Sequence, residues 1–409
     1  MTRPLRPIVA LAVAEIVSLL GTRLSMLAIP WLVLTTTGDP LLTGLVGFAE
    51  MLPYVLAKAL GGPLIDRLGA RRISITADLA SMLAVALVPL LHFAGALRLE
   101  TLLPIVVLLG TLRGPADAAK QAMIPAVAAL ANVALERVTG IVGTIDRLAG
   151  ALGAAAAGAL VVAIGAAPAL AATALTCALA ALVVAFGLRL PRPAPATAAK
   201  SSYLADLGEG WRYFRTDPVL VGIVGMIAVT NLFDQAYSAV LLPVWASLVG
   251  DAALLGSVFA TFSAAAVAGA VLATLLAPRL PRLLVYTTAF LICGAPRYLI
   301  FLADTPLLAI FIVVATAGFA SGFINPIISA VIFERIPAPL VGRVNSLIGA
   351  VSWGLIPFGG LVGGALIAAF GLKAAFAISG LVYFAATMLP LAVPAFRGIG
   401  RRQAEAVSP

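Results

Sequence analysis

The chain has 409 residues, of which 62% are hydrophobic and only 11% charged, with a formal net charge of +9 and a mean hydropathy of +1.12. Soluble domains carry about a quarter of their residues as Asp, Glu, Lys and Arg, so this composition excludes an ordinary soluble enzyme. The apolar runs are continuous, long enough to cross a hydrocarbon layer of roughly 30 Å with ~20 helical residues, and free of the alternation of barrel strands; an all-α integral membrane protein is expected.

Arg3 and Arg6 precede an apolar run from Ile8 to Thr35, too long for a cleaved signal peptide, which reads as the first span. Further spans are predicted at approximately 42 to 64, 73 to 96, 102 to 125, 138 to 165 and 167 to 188, completing an N-terminal six-helix bundle over 1–188. A polar stretch, 189–218, follows. Its Pro/Ala-rich start is a linker, while Tyr203, Leu204, Leu207, Trp211 and Phe214 share one helical face, which predicts an amphipathic helix on the membrane surface. Six more spans are predicted at approximately 219 to 248, 253 to 277, 283 to 303, 306 to 333, 340 to 370 and 372 to 396. They form a C-terminal bundle over 219–396, before a tail at 397–409.

Twelve crossings put both ends on one side. Arg3, Arg6, Arg67, Arg71, Arg72, Arg137, Arg189, Arg192, Lys200, Arg212, Arg215, Arg279, Arg282, Arg335, Arg343, Arg397, Arg401 and Arg402 fall on that side, whereas only Arg98 and Lys373 fall in the opposite loops. The positive-inside rule then makes the termini and the central linker cytoplasmic. Because the basic residues are spread over many short loops without a groove of interleaved aromatics, no nucleic-acid partner is expected. Cys177 and Cys293 lie inside apolar segments as small hydrophobes. With one histidine, His92, no metal site and no cofactor are expected. No GxxxxGK[ST] loop exists for ATP-driven work, and no nucleophile and base pair marks an enzyme.

The chain also repeats itself. A shift of 206 residues aligns ERVTGIVGTIDRLAGALGAAAAGALVVAIG (136 to 165) with GRVNSLIGAVSWGLIPFGGLVGGALIAAFG (342 to 371), matching Arg137 with Arg343 and Gly143, Gly153, Gly158 and Gly165 with Gly349, Gly359, Gly364 and Gly371. Span five therefore corresponds to span eleven. Six spans repeated in one orientation are the duplicated architecture of secondary transporters, with the substrate site near the midplane between repeats.

Between spans two and three stands GGPLIDRLGARR, residues 61 to 72. It resembles the loop signature of the major facilitator superfamily, with Gly62, Leu64, Asp66, Arg67, Gly69, Arg71 and Arg72 at the signature positions. A carboxylate beside basic residues on a glycine turn can face the positive end of a helix and lock one packing of the halves. LAIPWLVLTTTGDP (27 to 40), MLP (51 to 53), TADLAS (76 to 81, with Asp78 added to the gate), RGPADAAKQAMIP (113 to 125) and GRV (342 to 344) are similar to the macrolide-efflux and enterobactin-exporter branch, including actinobacterial multidrug exporters. The resemblance implies the twelve-helix major facilitator fold in two pseudo-symmetric bundles. It further implies a monomer in the inner membrane of a bacterium, exporting a small molecule at the expense of a proton gradient. The exporter signature of span five departs from the pattern: Ala154 and Ala157 replace a proline and a glycine, whereas span eleven carries Pro357 ahead of GGLVGG. An importer or facilitator of a small polar solute, and a transport-inactive sensor or partner protein, remain open on the residues alone.

Ionisable side chains deep in a bilayer cost a few kcal/mol or more, so each is a functional candidate. A carboxylate in low dielectric can exchange its proton near neutral pH, and Asp146, Asp234, Glu15 and Glu50 are the candidates for proton coupling. Glu15 and Arg23 are eight residues apart on span one, roughly 80° around the helix. Arg113 and Asp117, at i and i+4, are positioned to neutralise one another, while adjacent Asp146 and Arg147 point apart. Lys58 and Lys120 are expected to snorkel to the N-terminal side and Arg297 to reach the opposite surface. On span seven, Asn231, Asp234, Gln235 and Ser238 share a face. The resemblance further implies that spans one, four, seven and ten line the cavity, flanked by two, five, eight and eleven, which gathers Glu15, Arg23, Arg113, Asp146, Asn231, Asp234 and Asn325. Arg23, Tyr54, Arg113, Asp117, Arg147, Asn231, Gln235, Tyr237, Asn325 and Trp353 are the candidate substrate contacts; Trp245 is a further aromatic one.

Overall fold

Proline and aspartate punctuate the chain where helices begin. In the computed structural model, which describes residues 5–133, 135–188, 203–276, 281–336, 341–392, 394 and 396, Asp39 Oδ1 accepts from the Leu41 and Leu42 amides at 2.7 and 3.3 Å ahead of Pro40. Asp217 does the same for Val219 and Leu220 ahead of Pro218. In both, the side chain satisfies orphan amides and proline fills a position whose N–H has no partner. The linker start, the tail and the side chains of Asp66 and Arg147 lie outside the described residues, as do those of Tyr203, Leu204 and Leu207.

The helices are α1 (Arg6–Thr37), α2 (Pro40–Leu60), α3 (Gly62–Leu68), α4 (Ala70–Phe93), α5 (Leu99–Ala131), α6 (Leu135–Ile164), α7 (Ala166–Gly187), α8 (Tyr203–Thr216) and α9 (Pro218–Ala236). A π-turn, Tyr237–Leu241, leads to α10 (Leu242–Val249) and α11 (Ala252–Leu276). There follow α12 (Arg282–Cys293), α13 (Pro296–Leu299), α14 (Leu307–Ser321), α15 (Ile324–Arg335), α16 (Val341–Gly354), α17 (Ile356–Phe370) and α18 (Leu372–Ala392). Among the described residues no strand occurs. Among the described residues eight helical stretches are long and apolar enough to cross a membrane, and Leu152–Ile164, Leu307–Ser321 and Leu372–Met388 are shorter apolar ones.

All twelve spans expected from the sequence are thus helical, and α8 occupies the expected linker position. Spans seven, nine, ten and eleven are interrupted, each just before a proline: Pro243, Pro296, Pro326 and Pro357. Proline has no N–H to continue the ladder, and a break or wide turn relieves its ring clash. The bend of the repeated pair therefore lies in span eleven, while α6 is continuous. Residues 135–164 of α6 and 341–370 of α16 and α17 keep the offset of 206 found in the sequence.

By contact the described residues divide into two units. The first comprises those of Met1–Thr197, Ser238–Ala260 and Gly360–Ala368; the second comprises those of Ala198–Tyr237, Thr261–Gly359 and Ala369–Pro409. In the first, α1 packs on α6 and α7, α2 on α5, and α4 on α5 and α7. Leu11 and Ala14 of α1, Met123 and Val127 of α5, Val138 of α6 and Val184 of α7 form one buried cluster. In the second, α9 packs on α16 and α18, α12 on α14, and α8 on α16. Phe214 of α8 is buried, and the Tyr213 hydroxyl donates to the Arg335 carbonyl. Arg335 also bonds Asp217 at 2.8 Å, so α8 is tied to the second unit through α9 and α15.

Close helix crossings position the charged side chains. A Cβ at Gly110 would lie 2.1 Å from the Glu50 carbonyl oxygen, and one at Gly114 2.5 Å from that of Tyr54. This Gly-x-x-x-Gly pair lets the α2 and α5 backbones touch, as small residues do in membrane helices. The second unit repeats the device with Gly318 and Gly322 of α14, whose added Cβ atoms would lie 2.3 Å from the Phe262 oxygen and 2.4 Å from the Ala270 nitrogen. Gly318→Val must force backbone apart, an overpacking cost of about 1–3 kcal/mol or more. The expected result is a lower thermal-unfolding midpoint in detergent than for Gly349→Val, since a Cβ at Gly349 meets nothing within 4 Å.

Candidate functional site

Arg113, Asp117 and Lys120 follow one another at helical spacing on α5, so they share a face, and α2, α1 and α4 supply partners. Arg113 Nη1 donates to Ser25 Oγ at 2.6 Å and to Glu50 Oε1 at 3.3 Å, and Nη2 to the Gly21 carbonyl at 3.4 Å. Both Arg113 and Glu50 are buried. Asp117 instead accepts from the Tyr54 hydroxyl at 3.0 Å, and Lys58 donates to that hydroxyl at 3.2 Å while lying 5.4 Å from the Tyr54 ring centre. The expected mutual neutralisation of Arg113 and Asp117 is therefore corrected. The glycine crossing brings α2 so near that each side chain reaches across the helices in preference to along its own.

Lys120 does not snorkel. Its side chain is 0% exposed, and Nζ donates to Asp78 Oδ1 and to Ser18 Oγ, each at 3.0 Å. Asp78, with Ser74 bonded to it at 3.4 Å, is the buried partner of that cation inside α4. Glu15, one turn before Ser18 on α1, is 7% exposed. Towards the opposite end of α1, Arg23 meets Asp146 at 3.3 Å in a pair that is half open, the side chains being 34% and 58% exposed. Gly153 permits this approach, since a Cβ there would lie 3.0 Å from Arg23 Cβ.

The loop signature is helical over Gly62–Leu68 and turns at Gly69, whose φ of 89° favours glycine. Arg71 donates to the Ala185 carbonyl at 2.5 Å and Arg6 to the Phe186 carbonyl at 3.1 Å. Both satisfy carbonyls left open at the end of α7, where positive charge is favoured by the helix dipole. Arg67 and Arg72 are exposed.

In the second unit the expectation that Arg297 reaches the surface is corrected, because the break ahead of Pro296 turns it inward. It pairs with Asp234, donates to the Tyr298 hydroxyl at 3.3 Å, and is enclosed by rings. The guanidinium carbon lies 4.9 Å from the ring centres of Tyr298 and Tyr383, 5.3 Å from that of Tyr237 and 5.7 Å from that of Phe262. The Asp234 side chain is 41% exposed, so the pair presents its carboxylate outward and keeps its cation inside. The Asn231 side chain donates to the Ser352 carbonyl at 2.9 Å, satisfying the end of α16 at its break. Gln235 packs against Gly359, whereas Asn325 and Trp353 are exposed.

Sequence reasoning missed Lys120, Arg297 and the cage residues Tyr298, Tyr383 and Phe262. A signal for Lys120 was present, since seven residues from Arg113 is two helical turns. The cage left none, because its rings come from separate helices.

The family model described as Major Facilitator Superfamily matches residues 11–249 and again 224–407. The chain belongs to the Major Facilitator Superfamily. Superfamily membership makes it a multi-pass membrane protein whose partners are the bilayer and a small molecule. It is 31% identical over 392 residues to the multidrug efflux pump Tap of Mycobacterium tuberculosis (strain ATCC 25618 / H37Rv), covering 94% of this chain and 92% of that one. It is 29% identical over 380 residues to the multidrug efflux pump Tap of Mycolicibacterium fortuitum, covering 90% and 91%. This places the chain in the actinobacterial multidrug exporter branch of the superfamily. Among solved structures it resembles a D-xylose-proton symporter, with a TM-score of 0.73 and 14% identity over 96% of this chain and 98% of that one. It also resembles the nucleoside transporter NupG, with a TM-score of 0.68 and 14% identity over 97% and 100%. These two likenesses concern the fold alone.

Proposed function

We propose that the chain is a secondary transporter of a bacterial plasma membrane, with both termini cytoplasmic, that exports amphipathic drugs or secreted natural products in exchange for protons. It acts as a monomer without cofactor and makes or breaks no covalent bond in its substrate. Export is supported by the relatives, which bear the name of multidrug efflux pumps along nearly their whole length. Proton coupling is supported by the single observation that buried carboxylates and cations are gathered inside the first unit, while the second holds a buried cation paired with a partly exposed carboxylate. Holding them there costs several kcal/mol per ion unless they are paired or neutralised. Protonation of such a carboxylate favours one packing of the helices and substrate favours another, so proton entry drives substrate exit by alternating access.

Asp146, Asp234, Glu15 and Glu50 are the carboxylates proposed for coupling. Arg23, Tyr54, Arg113, Asp117, Arg147, Asn231, Gln235, Tyr237, Asn325 and Trp353 are proposed for substrate contact. The loop Gly62, Asp66, Arg67, Gly69, Arg71 and Arg72, with Asp78, is proposed as the conformational gate. The test uses proteoliposomes and a panel of amphipathic compounds with ethidium as a fluorescent reporter. An imposed pH gradient is expected to drive uphill accumulation of at least one compound, lost when an ionophore collapses the gradient. Accumulation that proceeds only downhill and ignores the gradient would identify a facilitator instead.

A further inference from the structure

The first unit contains one fully buried ammonium with two buried carboxylates beside it. Lys120 bonds Asp78 of α4 and Ser18 of α1. Glu15 stands one helical turn from Ser18, the α1 residue that Lys120 touches. The other charged groups facing Glu15 are Asp117 on α5, Asp146 on α6 and Asp78 on α4, all acids. Asp117 is already bonded by Tyr54 and Asp146 by Arg23. α7 contributes one buried titratable group to this region, the free Cys177. Among the described residues Glu15 makes no hydrogen bond or ion pair of its own.

Charge balance then decides the protonation pattern. Asp78 and Lys120 neutralise one another, which leaves Glu15 with no counter-charge in a place where an uncompensated ion is expensive. Resting on the proton-coupled reading above, we infer that Glu15 and Asp78 share the single cation Lys120, so that the coupling proton resides on whichever carboxylate the ammonium is not bonding. In the arrangement seen here that is Glu15, and Lys120 is the positioning residue. Its Nζ already touches α1 through Ser18, so a short swing carries it to Glu15. With substrate bound the proton leaves Glu15 Oε to solution, a net release of one, and Asp78, having lost its cation, takes one up at Oδ only after the substrate has left. Partner exchange between α1 and α4 thereby follows the proton, which links protonation to helix packing.

Infrared spectroscopy of the purified full-length protein at neutral pH separates protonated carboxyl from carboxylate and tests this directly. The wild type is expected to show a protonated-carboxyl band that Glu15→Gln removes. Asp78→Asn is also expected to remove it, because Glu15 then takes the ammonium and ionises. Lys120→Met is expected to double it, because both acids then hold protons. The double variant Asp78→Asn with Lys120→Met is neutral on burial, so it folds even if Lys120→Met alone does not, and its band is expected to match the wild type. A band that survives Asp78→Asn, or that is missing in the double variant, would overturn the shared cation. An exporter not driven by protons would still give these spectra but would release no proton when a transported compound is added, so the two readings fail separately.

Discussion

Arg113→Ala is expected to be the most destabilising single substitution in the first unit. Arg113 and Glu50 are both buried, and the guanidinium also satisfies Ser25 Oγ and the Gly21 carbonyl. Truncation strips Glu50 of its cation and opens a cavity beside Gly21, where the packing is so close that an added Cβ would lie 2.0 Å from Thr176 Oγ1. Breaking one member of a buried pair costs about 3–5 kcal/mol, whereas removing both charges together is often nearly neutral. Thermal unfolding in detergent is therefore expected to show a large drop for Arg113→Ala and a partial recovery for Arg113→Met combined with Glu50→Leu. Glu50→Gln alone should cost less than Arg113→Ala, because the arginine keeps Ser25 and the Gly21 carbonyl as acceptors. Equal losses in the single and paired variants would mean that the ion pair contributes nothing and only side-chain volume matters.

In the second unit the two halves of the ion pair should respond unequally. The Asp234 side chain is 41% exposed and can find water when its partner is removed, so Arg297→Met costs little beyond packing. Arg297 is buried, and after Asp234→Asn it keeps only uncharged partners: the carboxamide oxygen, Tyr298 Oη and the four surrounding rings. Cation–π contacts return up to about 2 kcal/mol when desolvated, against about 3–5 kcal/mol for stranding a buried charge. Asp234→Asn is thus expected to lose on the order of 1–3 kcal/mol more than Arg297→Met by chemical denaturation in micelles. The reverse order would show that the ring cage, not the carboxylate, holds the cation in place.

The spans, their count and the duplication were legible because lipid imposes a period and a length that a single sequence displays. Asp39 ahead of Pro40 and Asp217 ahead of Pro218 each cap the helix that follows, a local signal that the span boundaries near 42 and 219 did not use. The partners of the charges were less legible. Spacing along α5 paired Arg113 with Asp117, yet Gly110 and Gly114 draw α2 within backbone contact and redirect both. Depth counting placed Arg297 near the surface because it treated span nine as one straight rod, and the break ahead of Pro296 re-aims the side chain. Lys120 looked like a snorkelling residue because its distance from a loop was visible and its distance from Asp78 on another helix was not.

The central claim, that substrate and proton compete for one membrane-embedded machine, is tested most directly by proton release from the solubilised protein. Whichever compound of the panel accumulates best is added to the wild type in weakly buffered detergent solution containing a pH indicator. The account predicts a saturable release of about one proton per chain, abolished in Glu15→Gln although that variant still binds the compound. Binding without any proton release from the wild type, or release that persists unchanged in Glu15→Gln, would contradict it.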